Sequence, residues 1–308
     1  MNSRFVPDER LAAAAPLAQP TAAIVTASYA PDFERCRLLC ETIDRFVVNA
    51  AHHYILVEDR DAPLFRALES KNRTVVRESD LLPRWLRPFN DPLSYFRRRI
   101  WLSLRTKPLR GWHVQQLRRI AIARHVREAI LVYCDSDVAF LKPFDCHAFW
   151  RGGMVRLFRR DDGVESALSN QKTWSANAAR ALGIARPTVS PHDYIATLIS
   201  WRRETVDAMC RHIEAIHEKH WVEAVASQRQ FSECMLYGRY VDEVIGGAGH
   251  FHGAEEFCRI QWFPTQHSNS DVEVRALIAE MTPEQVAIGM QSFIGTDVDR
   301  IRRLLEAA

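Results

Sequence analysis

The run Ile130-Leu131-Val132-Tyr133-Cys134-Asp135-Ser136-Asp137-Val138 constrains this chain more than any other nine residues. Apolar, β-prone residues stop at two carboxylates spaced one residue apart. Such a run predicts a buried strand with the acids at its C-terminal end. Ligands in open α/β sheets bind at that edge. Two acids held there repel each other unless something positive lies between them. A divalent cation carrying a nucleotide phosphate is the usual answer. In an extended segment residues two apart point the same way, so Asp135 and Asp137 would face one cation.

The segments before this run alternate in type. Residues 21–28 predict a first strand. Phe33, Cys36, Leu39, Cys40, Ile43, Phe46 and Val47 then recur at spacings of three and four, which predicts a helix. Residues 54–57 predict a second strand ending in Glu58-Asp59, residues 63–68 a short helix, and residues 74–76 a third strand. Residues 112–126 predict a helix with Val114, Leu117, Ile120 and Ala121 turned inward. This order argues for an α/β fold: a Rossmann-like, mostly parallel sheet flanked by helices. After Pro143 the pattern is less regular. It predicts a strand at 152–158, a polar loop at 161–170, helices at 201–220 and 230–240, a glycine-rich loop at 246–253 and a terminal helix at 297–304.

With 47% hydrophobic and 26% charged residues in 308, a soluble globular protein with a sizeable core is expected. The net charge of +3 implies no partner by itself. No apolar run approaches the roughly 18 residues of a membrane span. The seven cysteines are an odd number without a C-x-x-C pair. Cys36, Cys40, Cys134 and Cys210 fall in apolar patterns, which favours reduced core thiols and a cytoplasmic setting.

Four constellations could carry chemistry. The D-x-D triplet is the first. The second is the stretch from Arg84 to Arg127, with twelve Arg or Lys against one acid, Asp91. Arg97, Arg98, Arg99, Arg105 and Lys107 could neutralise a pyrophosphate or hold an anionic acceptor. The same charges could form a solvated face. Interleaved Trp85, Phe89, Tyr95, Phe96 and Trp101 keep nucleic acid in play. The position just ahead of the D-x-D strand favours phosphate neutralisation beside a metal. Third is Glu233, set among apolar neighbours as a general base would be; Ser232 and Glu233 could equally cap a helix. Fourth are His192, beside Asp193, and the late His250, His252 and His267. A lone histidine is more often structural, yet His252 and His267 are candidates for a third cation ligand. No G-x-x-x-x-G-K-[ST], G-x-S-x-G or H-E-x-x-H pattern occurs.

Taken in order, these pieces resemble a GT-A-type nucleotide-sugar glycosyltransferase. The carrying residues are Gly111-Trp112-His113-Val114-Gln115-Gln116-Leu117, then Tyr133-Cys134-Asp135-Ser136-Asp137-Val138, then Ser232-Glu233 with Tyr237-Gly238. A bacterial family of largely uncharacterised glycosyltransferase-like proteins has a similar G-W-x-x-Q-Q helix, D-S-D strand end and S-E-x-x-x-Y-G segment. The resemblance implies that Asp135 and Asp137 hold Mn²⁺ or Mg²⁺ against the donor diphosphate, with a UDP-sugar the expected donor. It implies that Thr26, Ala27 and Ser28 line the nucleoside pocket and that Asp59 touches base or ribose. Arg98, Lys107, Gln116 and Ser136 join the donor site. Glu233, with Asp137, is the catalytic candidate, as base for the acceptor hydroxyl if the enzyme inverts configuration. The H-x-x-G-x-x-K-P-W segment of some retaining families is missing.

The organisation expected is a flexible lead-in over residues 1–20, a nucleotide-sugar-binding half over 21–145 and an acceptor-side half of the same domain over 146–308. The acceptor would be a carbohydrate or lipid-linked glycan, as in surface polysaccharide synthesis. Nucleic acid is disfavoured as a partner, and the inner membrane face is a possible location. Two rivals use the same residues. One is a haloacid-dehalogenase-type phosphohydrolase with Asp135 as nucleophile, although three predicted strands precede it where that class has none. The other is a non-catalytic nucleotide- or polyanion-binding module.

Overall fold

A computed structural model of the chain describes residues 20–95, 98–164, 169–263, 270–291 and 297–306. The expected lead-in, apart from Pro20, and His267 lie outside them, as do Phe96 and Arg97 of the basic stretch.

The elements that position the site are, in chain order, β1 (Ala22–Ala27), α1 (Phe33–Phe46), β2 (Ala50–Val57), β3 (Arg73–Arg77), α2 (Gly111–Ala121), β4 (Ile130–Tyr133), β5 (Val138–Phe140), β6 (Met154–Phe158), α3 (Ser169–Leu182), β7 (Ile199–Arg202), α4 (Arg203–His217), α5 (Glu233–Arg239), β8 (His250–Gly253), β9 (Cys258–Gln261) and β10 (Ala287–Met290). The central sheet runs β7-β4-β1-β2-β3. Its strands are parallel except β7, which pairs antiparallel with β4 from Ile199 opposite Tyr133 to Arg202 opposite Ile130.

Every residue of β1 and β4 is buried, because both faces of this sheet are covered. Ala23, Val25, Leu131 and Tyr133 face a core that includes Val114 and Leu117 of α2, Val206 and Met209 of α4 and Met235 of α5. Ala22, Ile24, Ile130 and Val132 face the opposite way, onto Leu39 and Ile43 of α1. The period-two alternation of strands thus feeds two separate helix layers. The fold is the α/β, mostly parallel sheet flanked by helices that the sequence pattern implies. All seven cysteines are buried free thiols. Among the described residues no helix is long and apolar enough to cross a membrane.

Three expectations need correction. Residues 199–202 are a strand, so the helix expected from Trp201 begins at Arg203. Pairing with β4 outweighs helical spacing there. The polar loop expected to 170 gives way to helix α3 from Ser169. Its inward positions are largely alanines, such as Ala178, Ala179 and Ala181, which leave little hydrophobic period to read. The glycine-rich loop ends in β8, parallel to β6. Gly253 is required there because a Cβ would lie 2.3 Å from Arg156 Nε.

The Y-G pair of the late motif is structural. The Tyr237 hydroxyl accepts from the Arg202 amide at 2.7 Å and lies 2.7 Å from His250 Nε2. The Tyr237 ring stacks on Trp201 at 4.8 Å. A Cβ on Gly238 would lie 2.2 Å from the Tyr194 ring. Gly238→Ala should therefore destabilise by about 1–3 kcal/mol through overpacking, read as a lowered urea midpoint with unchanged m-value.

Candidate functional site

The chain runs from β1 outward to β2 and β3, then returns to β4 on the other side of β1. Such a reversal leaves a crevice at the C-terminal strand ends. A cavity of about 1700 Å³ opens there, lined by Ser28 after β1, Glu58 after β2 and Asp135, Ser136 and Asp137 after β4.

The acidic triplet is not an extended continuation of β4. Ser136 and Asp137 form a turn, and the Val138 amide donates to the Asp135 carbonyl at 3.3 Å. Asp135 and Asp137 both still line the cavity. Asp135 Oδ1 lies 3.3 Å from Arg119 Nη1, and Asp135 Oδ2 accepts from the Thr197 hydroxyl at 3.0 Å. Thr197 is delivered by Leu198, whose φ of 61° is left-handed, a geometry that costs a branched residue about 1–2 kcal/mol. Leu198 is buried against Ile24 and Val132, and that packing offsets the cost.

Arg119 also lies 3.1 Å from Glu233 Oε1, so one guanidinium nitrogen serves both carboxylates. Its charge sits 5.0 Å from the Tyr133 ring centroid, and the Tyr133 hydroxyl donates to the Arg119 carbonyl at 2.8 Å. Burial opposes the charge of Arg119, but Glu233 and Asp135 outweigh it and raise its pKa. The pKa of Glu233 is raised from its ordinary value, first by burial and then by Asp135; Arg119 and the backbone amides at the start of α5 oppose the rise. Ser232 caps that helix through the Met235 amide. Capping and the site therefore share the Ser232-Glu233 pair.

Gln116 explains the second glutamine of G-W-x-x-Q-Q. Its Oε1 accepts from the Glu233 amide at 3.0 Å, so it fixes Glu233 and is not itself a cavity residue. Trp112 and Gln115 of the same helix do line the cavity.

Other candidates are placed differently from expectation. Ser28 lines the cavity, but Thr26 turns into the core and its Oγ1 lies 3.0 Å from His53 Nε2. Ala27 faces the apolar layer below α2. Asp59 is turned away and accepts from the amide and hydroxyl of Ser79. Its neighbour Glu58 takes the cavity position and pairs with Arg99 at 2.9 Å and Arg60 at 3.0 Å. Arg98 is an exposed lining residue, whereas Lys107 is exposed outside the cavity. Arg105 lies over the Trp85 ring. His252 is not brought to the acidic turn; its Nε2 pairs with Asp242 at 2.9 Å. His192 pairs with Asp161, and Asp193 with Arg160.

The sequence argument passed over Arg118, Arg119, Thr197 and Glu58. Arg118 is buried in the cavity wall, and its Nε and Nη1 have no hydrogen-bond partner among the described residues. Burial pulls its pKa down against the nearby carboxylates Glu78 and Glu58. A buried guanidinium with open donors suits an anionic or oxygen-rich ligand.

A cation at Asp135 and Asp137 fits the donor chemistry of Mg²⁺ or Mn²⁺, which take one or two protein carboxylates and complete their shell with phosphates and water. Among the described residues no group of three or more His, Cys, Asp or Glu is gathered for a metal. Any such site would thus be shared with the ligand.

Residues 20–286 match the family described as "Family of unknown function (DUF6492)", and the chain belongs to it. No curated protein matches the chain. Among solved structures, the apo crystal structure of mouse xyloside xylosyltransferase 1 matches at 9% identity and a TM-score of 0.45, over 87% of this chain and 97% of that one. An overlap that loose fixes no activity.

Glu78, behind Arg118, gives the pH prediction. Burial raises it to about 7, against the pull of Arg118. Folded Glu78 thus keeps its proton where the unfolded chain has released it. Its contribution to stability is whole below about pH 4.5 and is lost as pH rises through about 7. Glu78→Gln should gain on wild type across that window, by up to about 3 kcal/mol. Urea unfolding at about pH 4 and about pH 8 reads the difference; parallel pH curves for the two proteins would refute it.

Proposed function

We propose that this protein is a metal-dependent glycosyltransferase. It moves a sugar from a nucleoside-diphosphate donor, expected to be a UDP-sugar, to a carbohydrate or lipid-linked acceptor. The reading rests on one observation: the acidic turn, Glu233, the buried Arg118 and the partly buried Arg119 converge on a single cavity at the switch point of a mostly parallel sheet. In this reading Asp135 and Asp137 hold Mn²⁺ or Mg²⁺. Bound there, the cation supplies charge stabilisation to the departing diphosphate. Ser28 and Ser136 flank the nucleotide, and Arg118 directs its open donors at donor oxygens. Glu233 takes the proton of the acceptor hydroxyl as the new glycosidic bond forms and the bond to the diphosphate breaks. Arg119 favours the ionised Glu233 that this role requires.

The polyanion-binding alternative loses ground because much of the basic stretch is spent internally. Arg99 pairs with Glu58, Arg110 with Asp91, and Arg124 with Asp207 and Glu214. The phosphohydrolase alternative expects its attacking Asp at the end of the first strand, whereas β1, β2 and β3 all precede Asp135.

Thermal-shift screening of UDP-, GDP-, CDP- and dTDP-sugars with and without Mn²⁺ tests the reading. At least one nucleotide should stabilise the wild type in a metal-dependent way, and Asp137→Ala should abolish that shift while leaving the fold intact. Silence across the whole screen would sink the proposal. With the donor so identified, Glu233→Gln should keep donor affinity and lose about 10²–10⁴-fold in turnover; undiminished turnover would remove Glu233 as the base.

A further inference from the structure

Trp112 is 47% exposed although it lines the cavity. It lies in the first turn of α2, and its ring meets that of Trp174 on α3 with centroids 5.5 Å apart and planes tilted by 37°. Two indoles on a cavity wall, one of them half exposed, leave apolar ring surface against water.

Two neutral amides accompany the pair. Gln115 follows Trp112 by three residues, and Gln171 precedes Trp174 by three, so each amide shares a helix face with its indole. Both amides line the cavity. Gln171 Oε1 is buried without a donor among the described residues. Of the two cations nearest in sequence, Arg110 is taken up by Asp91 and Lys172 is exposed outside the cavity lining, while Arg160 is taken up by Asp193 and Glu256. An amide both donates and accepts, as a hydroxyl does. Indole faces flanked by amides suit a ring with C–H groups on its face and hydroxyls at its edge. A phosphate would need the cations at the other end of the helix.

That other end fixes the direction. Trp112, Gln115 and Arg119 are spaced i, i+3, i+7 along one stripe. Arg119 is the residue that holds Glu233. The helical rise puts the indole about 10 Å along the axis from Arg119.

We infer that Trp112 and Trp174 form a saccharide subsite. It takes the face of a neutral pyranose ring, with Gln115 and Gln171 meeting its hydroxyls, and presents the acceptor toward Glu233. The assignment of that ring to the acceptor rests on the transferase reading; the subsite itself does not.

The test uses an array of neutral and acidic mono- to tetrasaccharides, with hits titrated by tryptophan fluorescence and calorimetry. Wild type, Trp112→Phe, Trp112→Leu and Trp174→Leu are compared. UDP with Mn²⁺ is run in parallel by thermal shift, and circular dichroism checks folding. Neutral glycans should bind wild type and bind about tenfold more weakly or worse to both leucine variants. Trp112→Phe, which keeps an aromatic face and checks against general misfolding, should fall between. Nucleotide stabilisation should be the same in all four proteins. Absence of neutral glycan binding by wild type overturns the subsite. So does equal binding by the leucine variants, or loss of only the nucleotide response, which would give the pair to the base. Should no nucleotide stabilise wild type while glycan binding still depends on the pair, the transferase reading falls and the subsite stands.

Discussion

One guanidinium holds the candidate site together. Arg119 stands on α2, pairs with two carboxylates from segments 98 residues apart in sequence, Asp135 and Glu233, and rests above the ring of Tyr133. Burying a charge is costly unless it is paired, and breaking such a pair leaves the surviving charge exposed to that cost. The arrangement therefore ties three elements to one geometry: the end of β4, the start of α5 and the middle of α2. Gln116, three residues earlier on the same helix, adds a second tie to the Glu233 amide. Two residues one turn apart thus grip the side chain and the backbone of the same glutamate.

Much of the fold was legible in the sequence because a sheet buried on both faces writes itself as continuous apolar runs. β1 and β4 are of this kind, and α1 was legible by its three-and-four spacing. α3 was not legible, since alanines and polar residues supply its buried face. β7 was missed because its four residues run straight into a strong helical pattern. For the site, Asp135, Ser136, Asp137 and Glu233 could be singled out, and all four line one cavity. One miss was an error of phase: Glu58 rather than Asp59 faces the cavity. At the end of β1, Thr26 is taken up by His53 and Ala27 by the apolar layer, so that only Ser28, just past the strand, lines the cavity. A shift of one residue in an extended segment reverses the face, and composition cannot set that phase. Arg119 was visible only as one of twelve cations. Nothing in its local sequence says that two acids distant along the chain converge on it.

The charge distribution carries a related lesson. A stretch with twelve cations and one acid invites a surface reading, yet several of those arginines point inward. Arg99 and Arg110 reach acids from neighbouring loops, and Arg118 and Arg119 enter the cavity wall. Linear charge density measures how many cations a segment brings. Their orientation depends on the strands and helix that carry them. Here a small antiparallel sheet of Arg87–Asn90, Arg99–Leu102 and Leu109–Arg110 does the folding back.

The acidic turn has a second anchor, far away in sequence. The Asp137 carbonyl accepts from the Met290 amide at 3.2 Å, where β10 runs antiparallel to β5. The stretch this chain shares with its family ends at residue 286, one residue before β10 begins. The shared stretch is therefore shorter than the physical unit that shapes the D-x-D turn. Two members alike through residue 286 can differ in how firmly they hold that turn, and a chain cut at the family boundary keeps both acids while losing the strand that fixes their backbone.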